Sequence, residues 1–113
     1  MEIPNANRAV IEPAKLRDYL LSPTHPVGRF KAPFFLALGY SAAAWHRLVA
    51  DLRSQHLPQD AVPVAPTPYG QKYVIRATLV GPAGATAEVV TVRVVRVGED
   101  FARFVTAYPE GAS

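Results

Sequence analysis

Hydrophobic and polar positions along this chain change their period near residue 57. Before it, apolar residues recur at helical spacing: Leu16, Tyr19 and Leu20 fall at i, i+3 and i+4, and Trp45, Leu48, Val49 and Leu52 repeat the pattern. After it, alternation takes over, with Tyr73, Ile75, Ala77 and Leu79 on one face of an extended segment and Lys72, Val74, Arg76 and Thr78 on the other. The helical period predicts three helices. The first runs from Lys15 to Leu21 after Pro13 and stops at Ser22-Pro23. The second runs from about Val27 to Leu38, buries Phe30, Phe34, Phe35 and Leu38, and ends at Gly39. The third runs from Ala42 to about His56 with Ser41 as its cap.

Leu57 to Pro68 holds four prolines and reads as a connector with a short strand at Ala61 to Val64. Strands are then expected at Lys72 to Val80, Thr86 to Val97 and Ala102 to Tyr108. Gly81-Pro82-Ala83-Gly84 and Gly98-Glu99-Asp100 turn one into the next, which makes an antiparallel meander. The expected fold is α+β, with N-terminal helices packed on one face of a C-terminal antiparallel sheet of three to four strands. One domain spans 1–113 in this reading: an extended arm over 1–13, a helical part over 14–56 and the sheet over 61–109.

Composition narrows the chemistry. A chain of 113 residues, 50% hydrophobic, can bury a core of its own. Lys+Arg 12 against Asp+Glu 9 makes it mildly basic, so a polyanionic partner such as RNA is compatible with it. The absence of cysteine removes disulfides, thiolate metal ligands and thiol nucleophiles, and fits a reducing cytoplasm. Met1 to Lys15 lacks the apolar core of a signal peptide. The longest uncharged stretch, Ala32 to Trp45, is interrupted by Pro33 and Gly39, so no membrane segment is expected.

No glycine-rich phosphate loop follows a strand, and His25, His46 and His56 have no metal-ligand spacing, so neither cofactor nor metal is expected. The remaining chemistry belongs to His, Lys, Arg, Thr and Tyr. It concentrates in the run from Pro23 to Lys31, where His25 sits in a proline-bounded loop ahead of a helix start carrying Arg29 and Lys31. An imidazole, open backbone N–H groups and two cations would suit a phosphate. These groups suffice for metal-independent RNA cleavage through attack of the ribose 2′-hydroxyl, with His25 as general base or acid and Lys31 as an electrostatic clamp.

On the sheet, Thr91 and Arg93 share one face of a strand, and Thr106 and Tyr108 share one face of its neighbour. Valines 90, 92 and 94 are expected on the core side. A four-residue loop, Gly98 to Phe101, would set Arg93 opposite Thr106 and Thr91 opposite Tyr108, a polar ladder able to bind substrate. A three-residue loop would set Thr106 opposite Val92 and abolish the ladder. Plainer readings stand beside these: a turn histidine, a solvated flank lysine, an exposed sheet arginine, and threonine as a strand former. Tyr19, Tyr40 and Tyr73 are expected in the core or at its rim.

Several segments together resemble a small bacterial domain of unknown function. They are Ile3-Pro4-Asn5-Ala6, Lys15 to Leu21, His25-Pro26-Val27-Gly28 through Lys31-Ala32, Phe35 to Gly39, Thr67-Pro68-Tyr69-Gly70-Gln71-Lys72-Tyr73 and Arg103 to Pro109. Relatives of that domain stand free beside small partner genes or form C-terminal modules of polymorphic toxins. Their layout is similar to the barnase, EndoU, colicin and RelE group of metal-independent ribonuclease toxins. The resemblance implies functional positions at Lys15, His25, Lys31 and Thr106, and a small antitoxin or immunity protein as partner. This chain has Arg93 where those relatives more often carry Trp, a departure that weakens Arg93 as a required group.

Two other function classes fit the residues. One is a non-catalytic protein-binding or immunity-like partner module that uses the sheet face or an open edge at Lys72 to Val80. The other is RNA binding without chemistry through Lys15, Arg17, Arg29, Lys31, Arg47 and Arg53. Convergence of His25, Lys31 and Thr106 on one concave surface would favour the ribonuclease.

Overall fold

A computed structural model describes residues 1–111. Helices α1 (Pro13–Lys15), α2 (Ala32–Ala37) and α3 (Trp45–Asp51) precede strands β1 (Ala61–Pro63), β2 (Gly70–Val80), β3 (Thr86–Arg96) and β4 (Ala102–Pro109). The strands form one antiparallel sheet in the order β1-β2-β3-β4, so the fold is α+β with helices first and meander second. Helix α1 continues into a wide turn over Leu16–Leu20, and α3 into another over Leu52–His56. Both close with bonds between residues five apart, Leu21 N–H to the Leu16 carbonyl at 2.9 Å and Leu57 N–H to the Leu52 carbonyl at 2.8 Å.

Leu16, Leu20, Leu21, Phe35, Leu48 and Leu52 from the helical half pack on Leu79, Val89, Phe104 and Ala107 of the sheet. All four sheet residues lie on one face, so the helical layer covers that face. A smaller cluster forms where Ile3 and Ala9 of the N-terminal arm meet Leu57, Ala61, Ile75 and Ala102. Val10 then lies along β4, with its N–H donating to the Ala102 carbonyl at 2.8 Å and its carbonyl accepting from Phe104 N–H at 2.9 Å. The arm thereby covers the start of an edge that would otherwise be bare. On the other side, β1 pairs with β2 over Tyr73–Ile75, so the open edge expected at Lys72 to Val80 is reduced to Arg76 to Val80.

Two helix starts differ from the periodicity. Val27 to Lys31 is not the first turn of a long helix. Gly28–Phe30 makes a separate 3₁₀ turn, and Pro33 in the first turn of α2 sets that helix to begin at Ala32. Phe30 is consequently 74% exposed rather than buried, while Phe35 and Leu38 enter the core. Helix α3 starts at Trp45. The Ser41 hydroxyl accepts from Ala44 N–H at 3.3 Å and makes a turn ahead of the helix instead of capping it. The far end of α3 is tied down at Asp51, which accepts from the Tyr40 hydroxyl at 2.7 Å and from Arg47 Nε at 3.1 Å.

The β3–β4 pairing decides which side chains share a surface. It begins as Val95↔Ala102, Val94↔Arg103 and Arg93↔Phe104, then shifts by one so that Val92 faces Thr106. Val105 is the extra residue, a β-bulge on β4. Without it, alternation from Phe104 would turn Thr106 inward. With it, Ala107 enters the core and Thr106 and Tyr108 turn outward. The polar ladder expected from a four-residue loop is therefore absent. Thr91 opposes Ala107, Arg93 opposes Phe104, and both lie on the helix-covered face. Valines 90, 92 and 94 lie on the opposite face, the reverse of the expectation, although Val90 is buried there as expected.

Candidate active-site cleft

Thr91 and Arg93 are fully buried and belong to the interior. The Thr91 hydroxyl is 3.3 Å from Nδ1 of His56, another fully buried residue, whose Nε2 lies 2.7 Å from the Val89 carbonyl. The Nε2–H therefore donates to Val89, and Nδ1 is left to accept from Thr91. Burial holds the imidazolium form of His56 below its ordinary range. As pH falls the unfolded chain takes up this proton first, so stability present above about pH 6.5 is lost as pH drops toward the lower folded value. Urea midpoints should therefore decline between pH 7.5 and 5, and His56→Gln should flatten that slope. An unchanged slope would place the acid sensitivity elsewhere.

At the rim of the helical layer, the turn over Leu16–Leu20 and the loop after it meet the edge of β4. The Tyr19 hydroxyl meets the Thr106 hydroxyl at 3.2 Å, and the Tyr19 ring meets the His25 ring edge-on at 5.0 Å between centroids. Lys15 Nζ lies 6.0 Å from the centre of the Tyr19 ring. Glu12, Lys15, Asp18, Tyr19, His25 and Thr106 line one cleft of about 620 Å³, with Val27 and Val105 as its apolar walls. Gly28 makes this approach possible, because a Cβ there would overlap the Tyr19 carbonyl oxygen.

The loop is built differently from a phosphate cradle. Nδ1 of His25 accepts from Val27 N–H and Gly28 N–H, both at 3.0 Å. Arg29, Phe30 and Lys31 N–H groups donate to the His25, Val27 and Gly28 carbonyls, and Ser22 Oγ accepts from Thr24 and His25 N–H. The open backbone N–H groups expected here are all engaged. The same network fixes the imidazole: with Nδ1 accepting twice, the neutral ring carries its proton on Nε2, an edge with no partner among the described residues.

The predicted site residues thus divide. His25, Lys15 and Thr106 converge in the cleft. Lys31 is not in its lining but stands beside it, with Nζ 5.7 Å from the centre of the Tyr108 ring, two residues along β4 from Thr106. Arg29 also lies outside the lining and extends over the exposed ring of Phe30 at 4.8 Å. Tyr19, Glu12 and Asp18 enter the cleft without having been singled out from the sequence. Tyr19 did carry a signal, since it lies four residues after Lys15 on one helical face. Arg17 bonds Asp18 through two nitrogens at 2.9 and 3.0 Å and holds its carboxyl below the usual carboxylate range. Glu12 is less engaged, 3.5 Å from Arg103. No group of three or more His, Asp or Glu side chains among the described residues is arranged to hold a metal ion, and no helix there is long and apolar enough to cross a membrane.

Fold and cleft together define a class: a helical layer on one face of an antiparallel meander, with a histidine, hydroxyl and lysine cleft at the edge of its last strand. The chain belongs to the family described as "Domain of unknown function (DUF6883)", which matches residues 2–111. No curated protein sequence matches it. Among solved structures it is similar to a chain of a contact-dependent growth inhibition toxin–immunity protein complex from Klebsiella pneumoniae 342. The TM-score is 0.58 at 19% identity over 89% of this chain and 99% of that one, a likeness of fold.

Proposed function

We propose that this chain is a toxin-type, metal-independent endoribonuclease whose active site is the cleft at the β4 edge. The observation that carries the reading is the pinned imidazole of His25, presenting Nε2 beside the Tyr19–Thr106 hydroxyl pair and Lys15. Hydroxyls, an ammonium and a fixed N–H donor around one small space suit the anionic oxygens of a pentacoordinate phosphorus. The shared fold with a chain from a toxin–immunity complex supports the toxin setting, and a small inhibitory protein is the partner that setting entails.

In the reaction, the ribose 2′-oxygen attacks the adjacent phosphorus and its proton passes to Glu12, the cleft carboxylate less held by a cation. The bond from phosphorus to the 5′-oxygen breaks, and the departing oxygen takes a proton from the Lys15 ammonium. The products are a 2′,3′-cyclic phosphate and a 5′-hydroxyl. His25 acts through Nε2–H on a phosphoryl oxygen, as a donor to developing charge rather than the proton shuttle expected from sequence. Tyr19 and Thr106 donate beside it, and Lys31 on Tyr108 adds positive potential along the approaching strand.

The test is incubation of the purified chain with total RNA in excess EDTA, with the fragment ends analysed. Cleavage leaving cyclic phosphate, unchanged by chelation, is expected, together with growth arrest when the chain is expressed alone. Intact RNA and harmless expression would sink the ribonuclease reading. Salt-dependent RNA affinity without cleavage would instead mark a binding module.

A further inference from the structure

At the opposite side of the outward sheet face, Tyr69 is 80% exposed yet held on a rigid backbone. Its N–H donates to Thr67 Oγ1 at 3.2 Å, and its carbonyl accepts from Val97 N–H at 2.9 Å. Thr67 and Gly70 exchange backbone bonds at 2.9 and 3.1 Å, closing the turn around it. Pro66 and Pro68 restrict the approach to this turn. Gly70 adopts φ 149°, and a Cβ there would overlap the Val95 carbonyl oxygen, so the turn lies flat against β3. The ring itself is not part of the core.

Beside it runs a groove of about 910 Å³ lined by Pro68, Tyr69, Lys72, Val94, Arg96 and Val97. Val97 is also strongly exposed, and neither Lys72 nor Arg96 has an ion-pair or hydrogen-bond partner for its side chain among the described residues. A fixed, uncovered aromatic flanked by two unpaired cations combines what single-stranded nucleic acid binding requires: a face for a base and charges for the phosphates beside it. An acidic protein could also use the ring and the cations; the unbroken path from this groove to the cleft favours a nucleic-acid strand.

We infer that the Tyr69 groove is a second nucleotide subsite, in which a base of single-stranded RNA stacks on Tyr69 while Lys72 and Arg96 contact flanking phosphates. This rests on the ribonuclease reading and names where its substrate continues. The register supports continuity. Thr106 faces Val92, Val92 faces Val74, and Lys72 is two residues along from Val74 on the same face. With strands about 4.8 Å apart and a rise of about 3.4 Å per residue, the Thr106 and Lys72 backbones lie about 12 Å apart. The path between them crosses only the outward sheet face, a span of a few nucleotides.

The test is fluorescence anisotropy with a labelled single-stranded octauridylate on the full chain, in a His25→Asn background so that the probe survives. Tyr69→Ala should raise Kd about tenfold or more, with Tyr69→Trp restoring binding. Lys72→Gln and Arg96→Gln should each lower the slope of log affinity against log salt by about 0.7. Circular dichroism should show all four variants folded, as expected for side chains outside the core. Equal RNA affinity for parent and Tyr69→Ala would overturn the subsite and leave the cleft, tested separately by cleavage, untouched. A poly-glutamate peptide that displaces the RNA at matched charge, with no effect of Tyr69→Ala, would overturn it too and mark the groove as a seat for an acidic protein.

Discussion

His25→Asn should lower RNA cleavage by about 10²- to 10³-fold and abolish growth arrest, while the fold stays intact. The substitution separates the two jobs of the imidazole. Nδ1 holds the loop by accepting from the N–H groups of residues two and three ahead. The Asn side-chain oxygen makes the same local turn, so the loop and the Gly28 contact with Tyr19 are retained. What Asn lacks is a donor where Nε2–H stands. His25→Ala would lose both and cost about 1 kcal/mol of stability in addition. Cleavage rates measured under single-turnover conditions, with thermal melts alongside, read the two effects separately. Parental cleavage by His25→Asn would show that the histidine is only a turn residue.

Arg93→Met should make the protein more stable by about 1–4 kcal/mol, against the usual direction of core substitutions. The Arg93 side chain is 0% exposed, and Nε, Nη1 and Nη2 are all buried without a hydrogen-bond partner among the described residues. Among the described residues its compensation is the ring of Phe104, 5.4 Å from the guanidinium carbon. Burial, with the nearby Arg53 charge, lowers its pKa well below the ordinary arginine value, to about 10. That difference corresponds to about 3 kcal/mol against the charged form. The sign follows from the depressed folded value: the cost is complete below about pH 10 and is relieved only as pH rises from there toward the ordinary arginine value. At neutral pH the domain carries all of it.

Methionine keeps most of the volume and removes the charge. Chemical denaturation at pH 7 should give a higher midpoint with an unchanged slope, and the melting temperature should rise by about 5–20 °C. Destabilisation by 2 kcal/mol or more would mean that the guanidinium has found an anion or a carbonyl. Because Arg93 reaches neither the cleft nor the outward face, cleavage by the variant should match that of the parent.

Much of the fold was legible because its information is local. The alternation of Tyr73, Ile75, Ala77 and Leu79 predicted that they share one face of β2, and on it Ile75 and Leu79 are fully buried. Glycine and proline marked the turn between β2 and β3. Reading failed where one residue changes the outcome for many. Val105 looks like any strand residue, yet as a bulge it turns Thr106 and Tyr108 outward and leaves Thr91 and Arg93 on the other face. In the helical half, Phe30 has the right spacing for a core face, but Pro33 starts the helix after it and leaves the ring in solvent.

The same division holds for the candidate site. Residue chemistry pointed to His25 and Lys31, and the family resemblance added Lys15 and Thr106; the cleft lining holds His25, Lys15 and Thr106, with Lys31 beside it. Their assembly required contacts between positions far apart in the chain, above all Tyr19 with Thr106, which no local pattern encodes. By itself, then, the sequence determined the order of helices and strands, which residues of β2 share a face and which side chains are candidates for chemistry. The tertiary structure alone decided the β4 register, the tautomer of His25, the burial of Arg93 and the exposure of Tyr69. Those four depend on which atoms approach one another through space, and in this chain a single bulge and two close-packed glycines set that approach.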